Sequence, residues 1–124
     1  MLWPVGQLYL SDGTQQWDAF TTLLKAAIAG AREGCRAHPP KIMLHIDRGG
    51  KMGDTRWFFD NITAYDVPFD IIGQSYYPMW HGSLADLTAN LADSVTRYGK
   101  PVLLAEISYP WTFEDGDKRG NIVT

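Results

Sequence analysis

Glu106 is the residue of this chain whose surroundings best suit chemistry. It sits in the run Val102-Leu103-Leu104-Ala105-Glu106-Ile107-Ser108-Tyr109-Pro110-Trp111, where apolar residues at both parities predict a strand covered on both faces. A carboxylate taken out of water is costly unless it is paired or used. In α/β folds the carboxyl ends of strands are also where ligands bind. A structural glutamate held by a buried arginine or tyrosine is the competing reading. Two other strand ends carry comparable groups. His45 and Asp47 close the run Lys41-Ile42-Met43-Leu44-His45-Ile46-Asp47, two apart and so on one face. Tyr76 and Tyr77 close the run from Pro68 to Tyr77. Each alone reads as easily as a satisfied structural residue, but three successive strand ends bringing polar groups to one rim favour a site.

The elements that must position these residues follow from periodicity. Residues 15–34 predict a helix, with Trp17, Phe20, Leu24, Ala27, Ile28 and Ala31 at three-to-four spacing and Gly34 placed to end it. The strand at 41–47 follows His38-Pro39-Pro40, and residues 48–53 read as a loop. Asp54 is placed to cap a second helix carrying Trp57, Phe58, Ile62 and Tyr65. The strand at 68–77 is closed by Pro78. Ser83 and Asp86 form a capping-box pattern ahead of a third helix, with Leu84, Leu87, Leu91, Val95 and Tyr98 on one face and Gly99 as its stop. The last strand is Val102 to Ile107, and residues 114–121 read as a polar loop.

The order α-β-α-β-α-β, with strands about every 30 residues, is that of βα units in a parallel sheet. A doubly wound sheet needs about five strands. A flavodoxin-like domain is further disfavoured because no glycine-rich phosphate loop opens a helix. A (β/α)₈ TIM barrel uses about 250 residues, so the 124-residue chain is expected to be part of one, in a single domain over 1–124. Opening in a loop and helix, and ending in a polar loop, reads as truncation.

Composition narrows the partners. The chain is 45% hydrophobic and 20% charged with a net charge of −3, values of a globular protein without the basic stripe a nucleic-acid partner requires. No apolar run approaches the roughly 18 residues of a membrane span. Met1-Leu2-Trp3-Pro4 lacks the basic and apolar regions of a signal peptide. The single cysteine, Cys35, excludes an internal disulfide framework and reads as an inert structural thiol. Five Trp, six Tyr and five Phe suit either sugar-stacking platforms or a packed core, and composition alone favours neither.

Four segments carry a specific likeness: Lys41 to Gly50, Thr55 to Asn61, Ile72-Gly73-Gln74-Ser75-Tyr76-Tyr77-Pro78-Met79-Trp80-His81-Gly82-Ser83-Leu84, and Ala105-Glu106-Ile107-Ser108-Tyr109-Pro110-Trp111-Thr112. They resemble the endo-β-1,4-galactanases of glycoside hydrolase family 53, and the likeness spans essentially the whole chain. The resemblance implies a (β/α)₈ barrel whose two catalytic glutamates end strands four and seven. Glu106 matches the strand-seven nucleophile. Met1-Leu2-Trp3-Pro4 resembles the loop after the strand-four Asn-Glu pair that holds the acid/base, and the pair itself is absent. The chain is thus expected to carry unit four (in part) to unit seven, with a nucleophile but no proton donor, and to be inactive alone.

The implied reaction is retaining hydrolysis of β-1,4-galactan in arabinogalactan and pectin. It needs no cofactor and two carboxyl groups about 5–5.5 Å apart. The full-length parent would be extracellular, with no nucleic-acid or membrane partner. Glu106 must be ionised to attack, and Tyr76 or Tyr77 is placed to donate a hydrogen bond to it; the sequence does not say which. By the family pattern His45 and Asp47 line sugar subsites. Trp80, His81 and Trp111 lie in strand-end loops, as stacking platforms or as plugs beneath the loops. Asp115, Asp117 and Asn121 match a calcium loop of bacterial members, and alternating oxygens suit Ca²⁺. Arg119 stands where that pattern has a histidine, so a solvated turn is the preferred reading there. The rival function is a non-catalytic carbohydrate-binding α/β module.

Overall fold

The computed structural model describes residues 8–109 together with Thr112 and Glu114. Its elements are α1 (Trp17–Gly34), β1 (Met43–Ile46), α2 (Met52–Ala64), β2 (Ile71–Tyr76), α3 (Pro78–His81), α4 (Leu84–Tyr98) and β3 (Val102–Ile107). The strands form one three-stranded sheet in the order β1-β2-β3, with β2 and β3 parallel. The alternation read from the sequence is present, with α3 as an addition. Pro78, expected only to stop a strand, also opens that short helix, where its missing N–H has no intrahelical partner to lose. Among the described residues no helix is long and apolar enough to cross a membrane.

The chain groups into two compact units, Met1–Leu44 with Arg56–Ile71 and His45–Thr55 with Ile72–Thr124. The first has an aromatic centre. Trp17, Thr21 and Ile28 form the buried stripe of α1, and Thr21 returns its hydroxyl to Trp17 O at 2.7 Å. The Trp17 ring meets Trp57 at 5.2 Å, Phe20 at 5.9 Å and Phe58 at 6.0 Å between centroids. Phe59 and Ile62, both fully buried, face Phe69 and Val67 across the turn that follows α2. That turn holds Asp66 at φ 51°, a left-handed conformation that Asp tolerates better than most residues. Asp70 joins the unit's ends: its Oδ2 accepts from Ile42 N at 2.7 Å and from Arg32 at 3.3 Å.

The second unit is built around β2, five of whose six residues are buried. α4 starts with the capping box expected at Ser83 and Asp86 and ends at Gly99 in the left-handed region, φ 62°. Its buried face differs from the expected one. Leu87, Asn90 and Ser94 are buried, whereas Leu84 and Val95 are exposed. The helix is rotated so that Asn90 reaches backbone carbonyls that need a donor. Asp54 does not cap α2. The helix begins at Met52 because Lys51 O already accepts from Thr55 N at 3.0 Å, and the Asp54 carboxylate instead takes Arg48 Nε at 3.2 Å.

β3 also departs from expectation, for Leu103 and Ile107 are more than half exposed. It is an edge strand, and among the described residues nothing pairs with its outer side. Glu106 is therefore exposed rather than buried. Its reactivity has to come from specific partners, not from desolvation.

Candidate active site at the strand ends

Glu106 reaches its position through an irregularity in the sheet. Ile72, Gly73 and Gln74 pair with Val102, Leu103 and Leu104, but Ser75 pairs with Glu106, so Ala105 is passed over. In a regular strand Glu106 would share a face with Val102 and Leu104, the face that meets Gln74. The bulge at Ala105 turns it to the face of Ser75 and Tyr77. The alternating half-buried and exposed pattern of β3 breaks at the same place.

Once turned, the carboxylate is held at both oxygens. Tyr77 Oη donates to Oε1, and Ser75 Oγ donates to Oε2 at 3.2 Å. The Ser75 oxygen also lies 2.7 Å from His45 Nε2. With its single hydrogen committed to Glu106, Ser75 must accept there, so His45 carries a proton on Nε2. A chain of donors thus runs from β1 through β2 to the end of β3. These bonds, Tyr77 first and Ser75 second, hold the Glu106 carboxyl below the ordinary glutamate range, and His45 adds a smaller electrostatic contribution. The bond to Glu106 pushes the Tyr77 phenol above its ordinary value, since ionising it would set two anions against each other; Asp47 acts in the same direction.

Next to this group a cleft of about 350 Å³ is lined by Asp47, Arg48, Lys51, Asp54, Trp80 and His81. That size falls in the range of small-molecule pockets. Arg48 bridges the acids of the cleft, donating to Asp47 on one side and lying 3.2 Å from Asp54 on the other. Trp80 is 57% exposed and lies edge-on to Tyr77, leaving a bare aromatic surface beside the acids and cations. Two glycines allow the loop after β1 to close this wall. A Cβ on Gly50 would lie 1.9 Å from His81 O, and one on Gly49 would lie 2.7 Å from Ser75 O.

The structure brings His45, Tyr77 and Glu106 into one hydrogen-bonded group, with Asp47 and Trp80 in the adjoining cleft. It does not bring Tyr76 there: that ring is buried and its hydroxyl donates to Gly82 O at 2.8 Å. Of the two tyrosines, Tyr77 is the one bonded to Glu106. His81 is also mostly buried, and its Nδ1 accepts from Tyr77 N at 3.1 Å, so it fixes the strand end that carries Tyr77. Trp111, Asp115, Asp117 and Asn121 lie outside the described residues. Among the described residues no cluster of three or more metal-ligating side chains occurs.

Ser75 and Arg48 were missed in the sequence. Ser75 had a visible signal, since it stands two residues before Tyr77 and so on the same face. Arg48 had none, because its role depends on acids both next to it and six residues away.

Comparison with known proteins adds the family. The model of Glycosyl hydrolase family 53 matches residues 1–124. The chain belongs to glycosyl hydrolase family 53. A protein of Niallia circulans, named for its position in the bgaB 5′ region, is 46% identical over 119 residues, covering 94% of this chain and 32% of its own length. The arabinogalactan endo-beta-1,4-galactanase of Cellvibrio japonicus is 32% identical over 118 residues, covering 92% of this chain and 31% of its own. A solved structure of fungal beta-1,4-galactanases superposes with a TM-score of 0.75 at 28% identity, over 89% of this chain and 33% of that one. The chain therefore spans about a third of the length of the relatives it matches. Its strands and helices are part of the family's (β/α)₈ barrel.

Proposed function

We propose that this chain is the nucleophile-bearing part of a retaining endo-β-1,4-galactanase, acting on the galactan of arabinogalactan and pectin outside the cell. Glu106 is the nucleophile. Its oxygen attacks the anomeric carbon as the bond to the leaving oxygen breaks, and that oxygen takes a proton from a second carboxyl group. Water then attacks the same carbon, the second carboxyl takes its proton, and Glu106 is released. The second carboxyl comes from a part of the barrel outside these 124 residues. Asp47, Trp80 and the other cleft residues bind the sugar chain, carboxylates and cations at its hydroxyls and the indole at a ring face.

The observation that carries this reading is the state of Glu106. It is turned by the bulge toward Ser75 and Tyr77 and bonded at both oxygens beside an open cleft, and these bonds hold its carboxyl below the ordinary glutamate range. The relatives named for galactan hydrolysis support the substrate class.

The test is to exchange these residues for the matching third of the Cellvibrio japonicus enzyme. The grafted barrel should hydrolyse galactan with retention. Glu106→Gln should abolish turnover while oligosaccharide binding stays within about threefold. The 124-residue chain alone should show no turnover. Turnover by Glu106→Gln at the level of the parent graft would end the proposal.

A further inference from the structure

Asn90, Thr55 and Gln74 are fully buried, and none of the chemistry above uses them. They nonetheless take up the backbone of the loop that walls the cleft. Gln74 Oε1 accepts from Arg48 N at 3.3 Å. Thr55 Oγ1 donates to Arg48 O at 3.3 Å and accepts from Gln74 Nε2 at 3.2 Å. Asn90 Nδ2 lies 2.7 Å from Gly49 O, 3.0 Å from Arg48 O and 3.0 Å from Thr55 Oγ1. Its own Oδ1 is buried without a partner among the described residues.

That orphaned oxygen is informative. A buried acceptor left unmade is costly, and native folds keep few. Flipping the amide would be worse, because the oxygen would then face two backbone carbonyls. Asn90 is thus oriented by the demand of Arg48 and Gly49 for a donor. The same loop segment is tied forward, Gly49 N donating to Ser75 O at 3.0 Å. One buried cluster therefore fixes the loop carrying Asp47 and Arg48 and registers it against the residue that holds Glu106.

We propose that Asn90, Thr55 and Gln74 are positioning residues for the sugar-binding wall. They set Asp47 and Arg48 against Trp80 and the Tyr77–Glu106 pair, and so govern how tightly a glycan is held more than how fast its bond breaks. The consequence for substrate rests on the galactanase reading above; the positioning itself does not.

Two measurements separate these. In the 124-residue chain, amide exchange at Gly49 and Lys51, both hydrogen-bonded in the loop, should accelerate about tenfold in Thr55→Val and recover in Thr55→Ser, with the amides of α4 little changed. In the grafted barrel, Thr55→Val should raise KM for galactan about tenfold with kcat within about threefold. Gln74→Met, close in shape but unable to accept from Arg48 N, is the second variant should Thr55→Val fail to fold. Local acceleration in a graft that turns over no galactan supports the positioning and counts against the galactan reading alone. Exchange rising equally through β2 and α4, with KM unchanged, would reduce the cluster to ordinary core packing and overturn the proposal.

Discussion

The two units of the chain use aromatic side chains for opposite purposes. Around Trp17 the rings of Phe20, Trp57 and Phe58 face one another at 5–6 Å, edge to face or tilted, and close a core. In the unit around β2, Tyr77 and Trp80 stand at a strand end with polar neighbours, one bonded to a carboxylate and the other with an open face. The difference lies in what the ring edge or hydroxyl meets, not in residue type. An aromatic-rich composition therefore divides between rings that close a core and rings left among polar groups at a strand end, and only the local partners tell which.

Breaking the contrast is the clearest way to test it. The largest expected effect on chemistry comes from exchanging the two residues at the bulge, Ala105→Glu with Glu106→Ala, which moves the carboxylate off the position paired with Ser75. Activity of the grafted barrel should fall by about a thousandfold or more, measured as kcat on galactan, on the scale of losing a catalytic group. In the other unit Trp17→Ala should cost about 3–5 kcal/mol of stability in a denaturant titration, without changing the titration of Glu106.

Tyr77→Phe sharpens the comparison at a single oxygen. The folded-state pKa of Glu106 is depressed, so the charged form and its bonds to Tyr77 and Ser75 persist above the ordinary glutamate value and are lost as pH falls through the lowered one. Removing the main donor should move the Glu106 midpoint up toward the ordinary value, seen by carboxyl NMR. The acidic limb of the activity profile should shift to higher pH, with kcat down by roughly ten- to a hundredfold. The smallest effect is expected of Trp80→Ala, a rise in KM of about tenfold or less with no change in thermal midpoint, as for an exposed platform that packs little.

Much of this fold could be read from the chain because its signals are local. The Ser83–Asp86 box and Gly99 bound α4 through contacts within a few residues, and the three strands announce themselves by apolar runs. What escaped depends on neighbours distant in sequence. The bulge at Ala105 exists only in the pairing of β3 with β2, and simple alternation would have sent Glu106 to the wrong face. Tyr76 and Tyr77 are indistinguishable as residues; Gly82 O captures one and Glu106 the other. Asn90 lies off the helix face that periodicity assigns to the leucines, and only the loop carbonyls it meets explain its burial. For the same reason Glu106 was expected to be buried and stands exposed, while the tyrosine donor expected at the end of β2 is joined by Ser75.

The central claim is that Glu106 bonds covalently to the sugar. A slow, fluorinated galactosyl substrate incubated with the grafted barrel, followed by digestion and mass spectrometry, tests it most directly. The account predicts one glycosyl adduct, on the peptide containing Glu106 and absent in Glu106→Gln. An adduct on another carboxylate, with Glu106 unmodified in an active enzyme, would contradict it.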